Sequence, residues 1–301
     1  MNVFIFAVDG ASPDLVNSWL KQGKLPNISS VKNQGLYGNL ESTFPPLTGP
    51  AWTSFQTGVN PGKHGVYNWL NVSGSYEGSV VNGNSIKAKT VWKRLSSNGC
   101  KVCLLSLPMT YPPEKINGCI IPGFLTPDKA PNRSYPKRLA EELEKLRPEF
   151  KYGINQYLGG SAKDWVQKIK KIVSERGKAA RLLMRQELSG SFSNHDDVLF
   201  LVHFLASDSV QHYLWNRATK DWDPRLDVFN LIDKEIGKTM ELAPSNSKFL
   251  ILSDHGFGKI DRIFNVNNWL RDEGYLKLKP KTKTYIKHGL SRIGFNQHKL
   301  E

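Results

Sequence analysis

The 301-residue sequence predicts an α/β fold, a mostly parallel central sheet with helices on both faces. Two observations carry this. Residues 3–8, 101–107, 198–206 and 248–252 are apolar runs rich in Val, Ile, Leu and Phe, the pattern of strands covered on both sides. Segments of helical period alternate with them, as parallel strands require.

The elements follow in order. The run at 3–8 ends in Asp9-Gly10. Ser12-Pro13-Asp14 then opens a helix to about Lys21, with serine as N-cap and proline in the first turn. Pro50 and the residues after it read as a short helix stopped by Gly58. Residues 90–98 form a helix closed by Gly99, and the strand at 101–107 follows. Residues 135–190 change character: 136–146 and 162–188 are long, charged and helical in period, a helical insertion or outer layer. The strand at 198–206 comes next, then a helix over 227–241. A last buried strand at 248–252 runs into Ser253-Asp254-His255-Gly256. The tail from 277 is basic and poorly patterned.

Composition narrows the function classes. Hydrophobic residues make up 39% of the chain, enough for a packed core and too many for a disordered chain. The net charge of +14 favours anionic partners: phosphorylated small molecules, nucleic acid or an acidic surface. No apolar run approaches the ~20 residues of a membrane span, and no leader follows Met1. Three cysteines, an odd number, argue against a disulfide framework and for a reducing cytoplasm. Cys100 and Cys103 have metal-ligand spacing, but Cys119 stands alone, so these read as incidental thiols. The basic stretch 277–287 and Lys168, Lys170 and Lys171 come without a nucleic-acid-binding motif, so they read as solvated charge. His195 reads as a loop residue, and His203 as a core histidine.

In open α/β sheets ligands sit beyond the carboxyl ends of the strands. Three apolar runs lead there into aspartates: Asp9, Asp208 and Asp254. A lone strand-end aspartate caps a turn or a helix. Three gathered on one sheet edge repel each other and call for a cation. His255 follows Asp254, and His212 lies four residues after Asp208, on the same helical face. Carboxylates with imidazoles suit zinc, manganese or iron, and two clusters suggest two ions.

A nucleophile is offered by Thr48, at the start of the helix through Pro50. Backbone N–H groups and the macrodipole there favour an alkoxide and the phosphate it attacks. A free hydroxyl is a poor nucleophile that a metal can activate. The plainer role for this threonine is an N-cap.

Four separated motifs resemble the type I phosphodiesterase/nucleotide pyrophosphatase branch of the alkaline phosphatase superfamily. They are Val8-Asp9-Gly10; Thr48-Gly49-Pro50 through Thr57-Gly58 and Pro61-Gly62-Lys63-His64-Gly65; Asp208 through His212; and Ser253-Asp254-His255-Gly256-Phe257. The likeness spans about residues 1–278, read as one alkaline phosphatase-like catalytic domain, with 279–301 as the start of a truncated segment. Tyr111-Pro112-Pro113-Glu114 and Gly123 through Pro127 resemble a phosphohydrolase/phosphomutase subgroup.

The resemblance implies two metal ions, usually zinc. One would be held by Asp9, Thr48, Asp254 and His255. The other would be held by Asp208, His212 and a histidine near the family's C-terminus, to which neither His288 nor His298 is assigned. It implies a Thr48 nucleophile, a phospho-threonine intermediate and a small phosphorylated substrate such as a nucleotide. Asn68 stands near the family's phosphate-binding asparagine, and His64 has a supporting role. Sulfatases need cysteine or serine at the nucleophile with arginine four residues on, where this chain has Thr48 and Trp52. A phosphomutase or phosphomonoesterase on the same site is the nearer alternative. A basic polyanion-binding module with a vestigial site is the more distant one.

Overall fold

The computed structural model describes residues 1–72, 78–154, 156–194 and 196–277. His195, His288, His298 and the segment 279–301 lie outside the described residues. The chain divides into two compact units, Met1–Gly258 and Lys259–Glu301.

The first unit is built on strands β1 (Asn2–Val8), β2 (Leu70–Asn71), β3 (Ser79–Val80), β4 (Lys101–Leu105), β5 (Gly118–Ile121), β6 (Val198–Phe204) and β7 (Lys248–Leu252). Five of them form one sheet in the order β5-β4-β6-β1-β7, every pair parallel. The short β2 and β3 pair antiparallel as a separate ribbon. Its helices are α1 (Pro13–Lys21), α2 (Pro26–Gln34), α3 (Thr48–Thr57), α4 (Pro61–His64), α5 (Val91–Ser97), α6 (Arg138–Leu146), α7 (Ala162–Leu183), α8 (Ser189–Ser193), α9 (Ala206–Leu214) and α10 (Pro224–Met240). The second unit contains α11 (Val266–Asp272), whose first turn is capped by Asn265 Oδ1 on the Asn268 N–H at 3.3 Å.

Alternation along β1 shows why both sheet faces are covered. Phe4, Phe6 and Val8 enter one core with Trp19, Ile28, Val173, Val210 and Phe229, contributed by α1, α2, α7, α9 and α10. Ile5 and Ala7 enter the other core with Trp52 of α3 and Trp92 of α5. Each of the Val, Ile and Phe side chains contributes roughly 1.5–3 kcal/mol by leaving water.

Polar ties fix the helical layer. Helix α2 lacks a side-chain cap at Leu25, and Asp233 of α10 takes its first N–H groups instead, Ile28 at 2.8 Å and Asn27 at 3.2 Å. Helices α7 and α10 touch at Gly177, where a Cβ would overlap the buried Glu235 carboxylate. That carboxylate is held by Arg181 at 2.7 Å and Lys238 at 3.1 Å.

Three expectations need correction. The strand at 248–252 is not buried: β7 borders the sheet, and Leu250 is 44% exposed. Its apolar composition reflects partial cover: Phe249 and Ile251 pack on one core and Leu252 on the other. Cys103 and Cys119 form a disulfide, because β4 and β5 pair in a register that sets the two residues opposite each other. The spacing in sequence sets Cys103 beside Cys100, but Cys100 is free. The cysteines therefore no longer argue for a reducing compartment. Strand β5 was not anticipated, since four residues before Pro122 give too short a pattern. Among the described residues no helix is long and apolar enough to cross a membrane.

Candidate active site

The carboxyl ends of β1, β6 and β7 meet α3 in one cluster. Asp9 continues β1 by one residue, its N–H bonded to the Phe204 carbonyl at 3.1 Å. Gly10 then turns with φ +63°. Its N–H donates to Asp254 Oδ1 at 3.1 Å, and a Cβ there would stand 3.1 Å from Asp208 Oδ1. A residue without a Cβ suits both the left-handed turn and the tight fit.

Asp208 lies in the first turn of α9, not on β6 itself, because Ala206 already starts the helix. Two neighbours on that helix pin the turn: Ser207 Oγ donates to the Asp9 carbonyl at 2.6 Å and Gln211 Nε2 to the Gly10 carbonyl at 2.8 Å. Ser253 Oγ accepts the Ala11 N–H at 2.8 Å and fixes the strand end that carries Asp254 and His255.

Thr48 is the first residue of α3, and Leu47 is the N-cap. No side-chain cap hydrogen bond forms, so the threonine hydroxyl is not spent on capping. Its Oγ1 lies 3.1 Å from His255 Nε2 and 3.4 Å from Asp9 Oδ1. One ligand atom each of Asp9, Asp208 and His255 falls within 4.8 Å of the others, a possible metal site. Asp254 Oδ2 is 3.4 Å from His255 Nε2, and Asp208 Oδ1 is 3.3 Å from His212 Nε2. The structure thus gathers Asp9, Thr48, Asp208, His212, Asp254 and His255. It does not join Asn68 to them: that residue is exposed, and its Oδ1 takes the Trp69 N–H at 2.7 Å.

The donor set fits a cation. His255 Nδ1 is 2.8 Å from the Gly256 carbonyl, which only accepts, so this nitrogen carries a proton. Nε2 is then the atom left to face three oxygens, those of Thr48, Asp9 and Asp254. Asp208 Oδ1 and Asp254 Oδ2 are buried, and the groups that approach them are imidazoles, His212 Nε2 at 3.3 Å and His255 Nε2 at 3.4 Å. Buried oxygens of this kind need a partner.

The electrostatics agree. Burial, then the Asp208 charge, raises the Asp9 carboxyl from 3.8 to about 7. Burial, then Asp9, raises Asp254 to about 7 as well. Burial lowers the His255 imidazole, but the charges of Asp254 and Asp9 outweigh it and hold the pKa above its ordinary value. His212 is raised mainly by its bond to Asp208. Without a cation, the carboxyls of Asp9 and Asp254 hold protons into the neutral range.

Phe257 meets His212 edge-on at 4.8 Å and stacks on Trp215, over which the Arg225 guanidinium lies at 4.8 Å. His64 is buried. It accepts the Val66 N–H at Nδ1, so its Nε2 carries the proton shared with Ser54 Oγ at 2.9 Å. It joins α3 to α4 and cannot serve Ser54 as a base. Trp69 packs on Phe124 and against Gly49, while Tyr67 is exposed.

Two site contacts were not foreseen. Trp52 Nε1 donates to Asp9 Oδ2 at 3.2 Å, and His203 Nε2 lies 2.8 Å from the same oxygen. His203 is therefore more than a packed core residue. Its signal was a histidine within an otherwise apolar strand; that of Trp52 was its place one helical turn after Thr48.

The sequence model of the type I phosphodiesterase/nucleotide pyrophosphatase family matches residues 3–299. The chain belongs to this family. A comparison with curated protein sequences gives no match. Among solved structures it is similar to phosphonoacetate hydrolase from Sinorhizobium meliloti, seen with phosphonoformate and with phosphonoacetate. The phosphonoformate complex gives a TM-score of 0.61 at 15% identity, covering 91% of this chain and 62% of that one. It is also similar to murine ectonucleotide pyrophosphatase/phosphodiesterase 5, solved as an inactive threonine-to-alanine variant with AMP. There the TM-score is 0.50 at 13% identity, covering 85% of this chain and 57% of that one. The family member described here therefore spans about three fifths of the length of these proteins, and shares with them the alkaline phosphatase-like α/β fold.

Proposed function

We propose that the chain carries the centre of a metal-dependent phosphohydrolase, a phosphodiesterase or nucleotide pyrophosphatase that acts through Thr48. The observation that carries this is the Thr48 hydroxyl, uncommitted to capping and set 3.1 Å from His255 Nε2 and 3.4 Å from Asp9 Oδ1. Asp9, Asp254 and His255 would hold one divalent ion with Thr48, and Asp208 and His212 would contribute to a second. Zinc suits this mixed carboxylate and imidazole set, with manganese or iron as substitutes. Such ions lower the pKa of a hydroxyl and offset charge on phosphoryl oxygens.

The chain's own groups do the rest. The N-terminus of α3 presents unpaired backbone N–H groups to an anionic phosphoryl group. Thr48 Oγ attacks phosphorus in line, and its bond forms as the bond to the leaving oxygen breaks. Water then cleaves the phospho-threonine and restores the hydroxyl. The inactive threonine-to-alanine variant of the murine neighbour, with its bound AMP, supports a threonine nucleophile and a nucleotide-like substrate. The phosphonate ligands of the bacterial neighbour support a small phosphoryl-bearing substrate of wider type.

The test compares turnover of a chromogenic phosphodiester, a phosphomonoester and a phosphonate by zinc-loaded wild type and Thr48→Ala. Diester turnover that disappears in the variant supports the reading. Preference for the monoester selects the phosphomonoesterase or phosphomutase alternative. Polyanion binding that survives both Thr48→Ala and chelation would favour a binding module.

A further inference from the structure

The two oxygens of Asp9 are held in opposite ways. Oδ2 accepts the Trp52 Nε1–H at 3.2 Å and lies 2.8 Å from His203 Nε2. When a cation holds Asp9 ionised, the carboxylate only accepts, and that ring nitrogen is the donor. Oδ1 points to the reacting side, 3.4 Å from Thr48 Oγ1 and 3.5 Å from His255 Nε2.

Both donors are rigidly placed. Trp52 and His203 are fully buried, and their rings meet edge-to-face at 5.2 Å. Trp52 sits one turn along α3 from Thr48, so the helix that places the hydroxyl also places this N–H. His203 pairs with Ala7 across the β1–β6 ladder, two residues before Asp9. Every other residue of β6 is apolar. A histidine in a strand buried on both faces costs stability unless its polar atoms are used; Nε2 is used on Asp9, while the buried Nδ1 makes no hydrogen bond among the described residues.

We propose that Trp52 and His203 are positioning residues that saturate Asp9 Oδ2 and make Asp9 a one-oxygen donor, through Oδ1, to the cation shared with Thr48 and His255. This rests on the metal-dependent reading above. Freed of the two N–H groups, the carboxylate could turn and offer both oxygens. Coordination would then rise by one. Low coordination numbers suit zinc, and higher ones suit oxygen-seeking ions such as manganese. The buried N–H pair therefore acts on metal preference without touching the metal.

The test measures zinc and manganese dissociation constants by chelator competition, with the visible spectrum of the cobalt-substituted protein, on the full chain. The variants are Trp52→Phe, His203→Leu, His203→Gln and Asp254→Ala. Trp52→Phe and His203→Leu should each weaken zinc about 10-fold, manganese less, and dim the cobalt bands as coordination rises. His203→Gln, whose amide can donate to the same oxygen, should recover most of the loss. Trp52→Phe keeps an aromatic ring in the core and serves if His203→Leu does not fold. Unchanged zinc affinity and cobalt spectrum in folded Trp52→Phe and His203→Leu, with metal lost in Asp254→Ala, would overturn the positioning role and leave the metal reading standing. A wild type that binds no metal would overturn both.

Discussion

Replacing Asp9 by asparagine should stabilise the metal-free protein at alkaline pH and scarcely at all in acid. The Asp9 carboxyl is fully buried and titrates at about 7 against an ordinary 3.8. Between those values the unfolded chain ionises while the folded chain keeps its proton. Folding then loses about 1.4 kcal/mol per pH unit. This penalty is absent below the unfolded value, grows as pH rises towards the folded one, and is constant above it. Across the window it reaches about 4 kcal/mol, and part of that is repulsion shared with Asp208 and Asp254, so about 2–4 kcal/mol belongs to the substitution. Asparagine fits the site, because its oxygen can keep the Trp52 and His203 N–H groups while its NH₂ faces Thr48 Oγ1 and His255 Nε2. The assay is urea unfolding in chelator at about pH 5 and pH 8, wild type against variant. Saturating zinc should reverse the order, since it stabilises the form that binds it. A variant less stable than wild type in chelator at the higher pH, or a gap equal at both, would refute the reasoning.

Other outcomes follow from the same geometry. Thr48→Ala should lower turnover by at least about 10³-fold with the fold unchanged by circular dichroism, and Thr48→Ser should retain part of it. Zinc should bind more tightly as pH rises from about 6 to 8, because the ion displaces protons held by Asp9, Asp254 and His255, all raised in the metal-free site; the slope approaches about tenfold per pH unit for each proton released, read by competition titration. Metal content by elemental mass spectrometry should fall in Asp254→Ala. Gly177→Ala should cost about 1–3 kcal/mol in urea unfolding, because its methyl group meets Glu235 across the α7–α10 contact.

The sheet was legible where local pattern and tertiary role coincide. The runs that became β1, β4 and β6 are apolar on both faces in the sequence because both faces are covered in the fold. The aspartates stood out because a charged group directly after such a run has few structural uses. What the pattern could not give was adjacency between distant segments. Cys103 meets Cys119 only through a strand pairing, and β7 reads as buried although it borders the sheet. Within the cluster, Thr48, Asp254 and His255 could be named from residue type and position. Trp52 and His203 could not, since a tryptophan in a helix and a histidine in a strand acquire their meaning from a third residue, Asp9, contributed by another strand. Asn68 stands apart from the cluster, its side chain bonded to its own neighbour.

The place of β7 has a consequence for how the centre breathes. Among the described residues, Asp254 and His255 hang from the end of the one strand in the group that has a single hydrogen-bonded neighbour, while Asp9 and Asp208 hang from the interior of the sheet. Border strands fray at lower free energy than central ones. Asp254 and His255 should therefore open and close faster than Asp9 and Asp208, and an ion that spans both pairs would slow amide exchange along β7 far more than along β1.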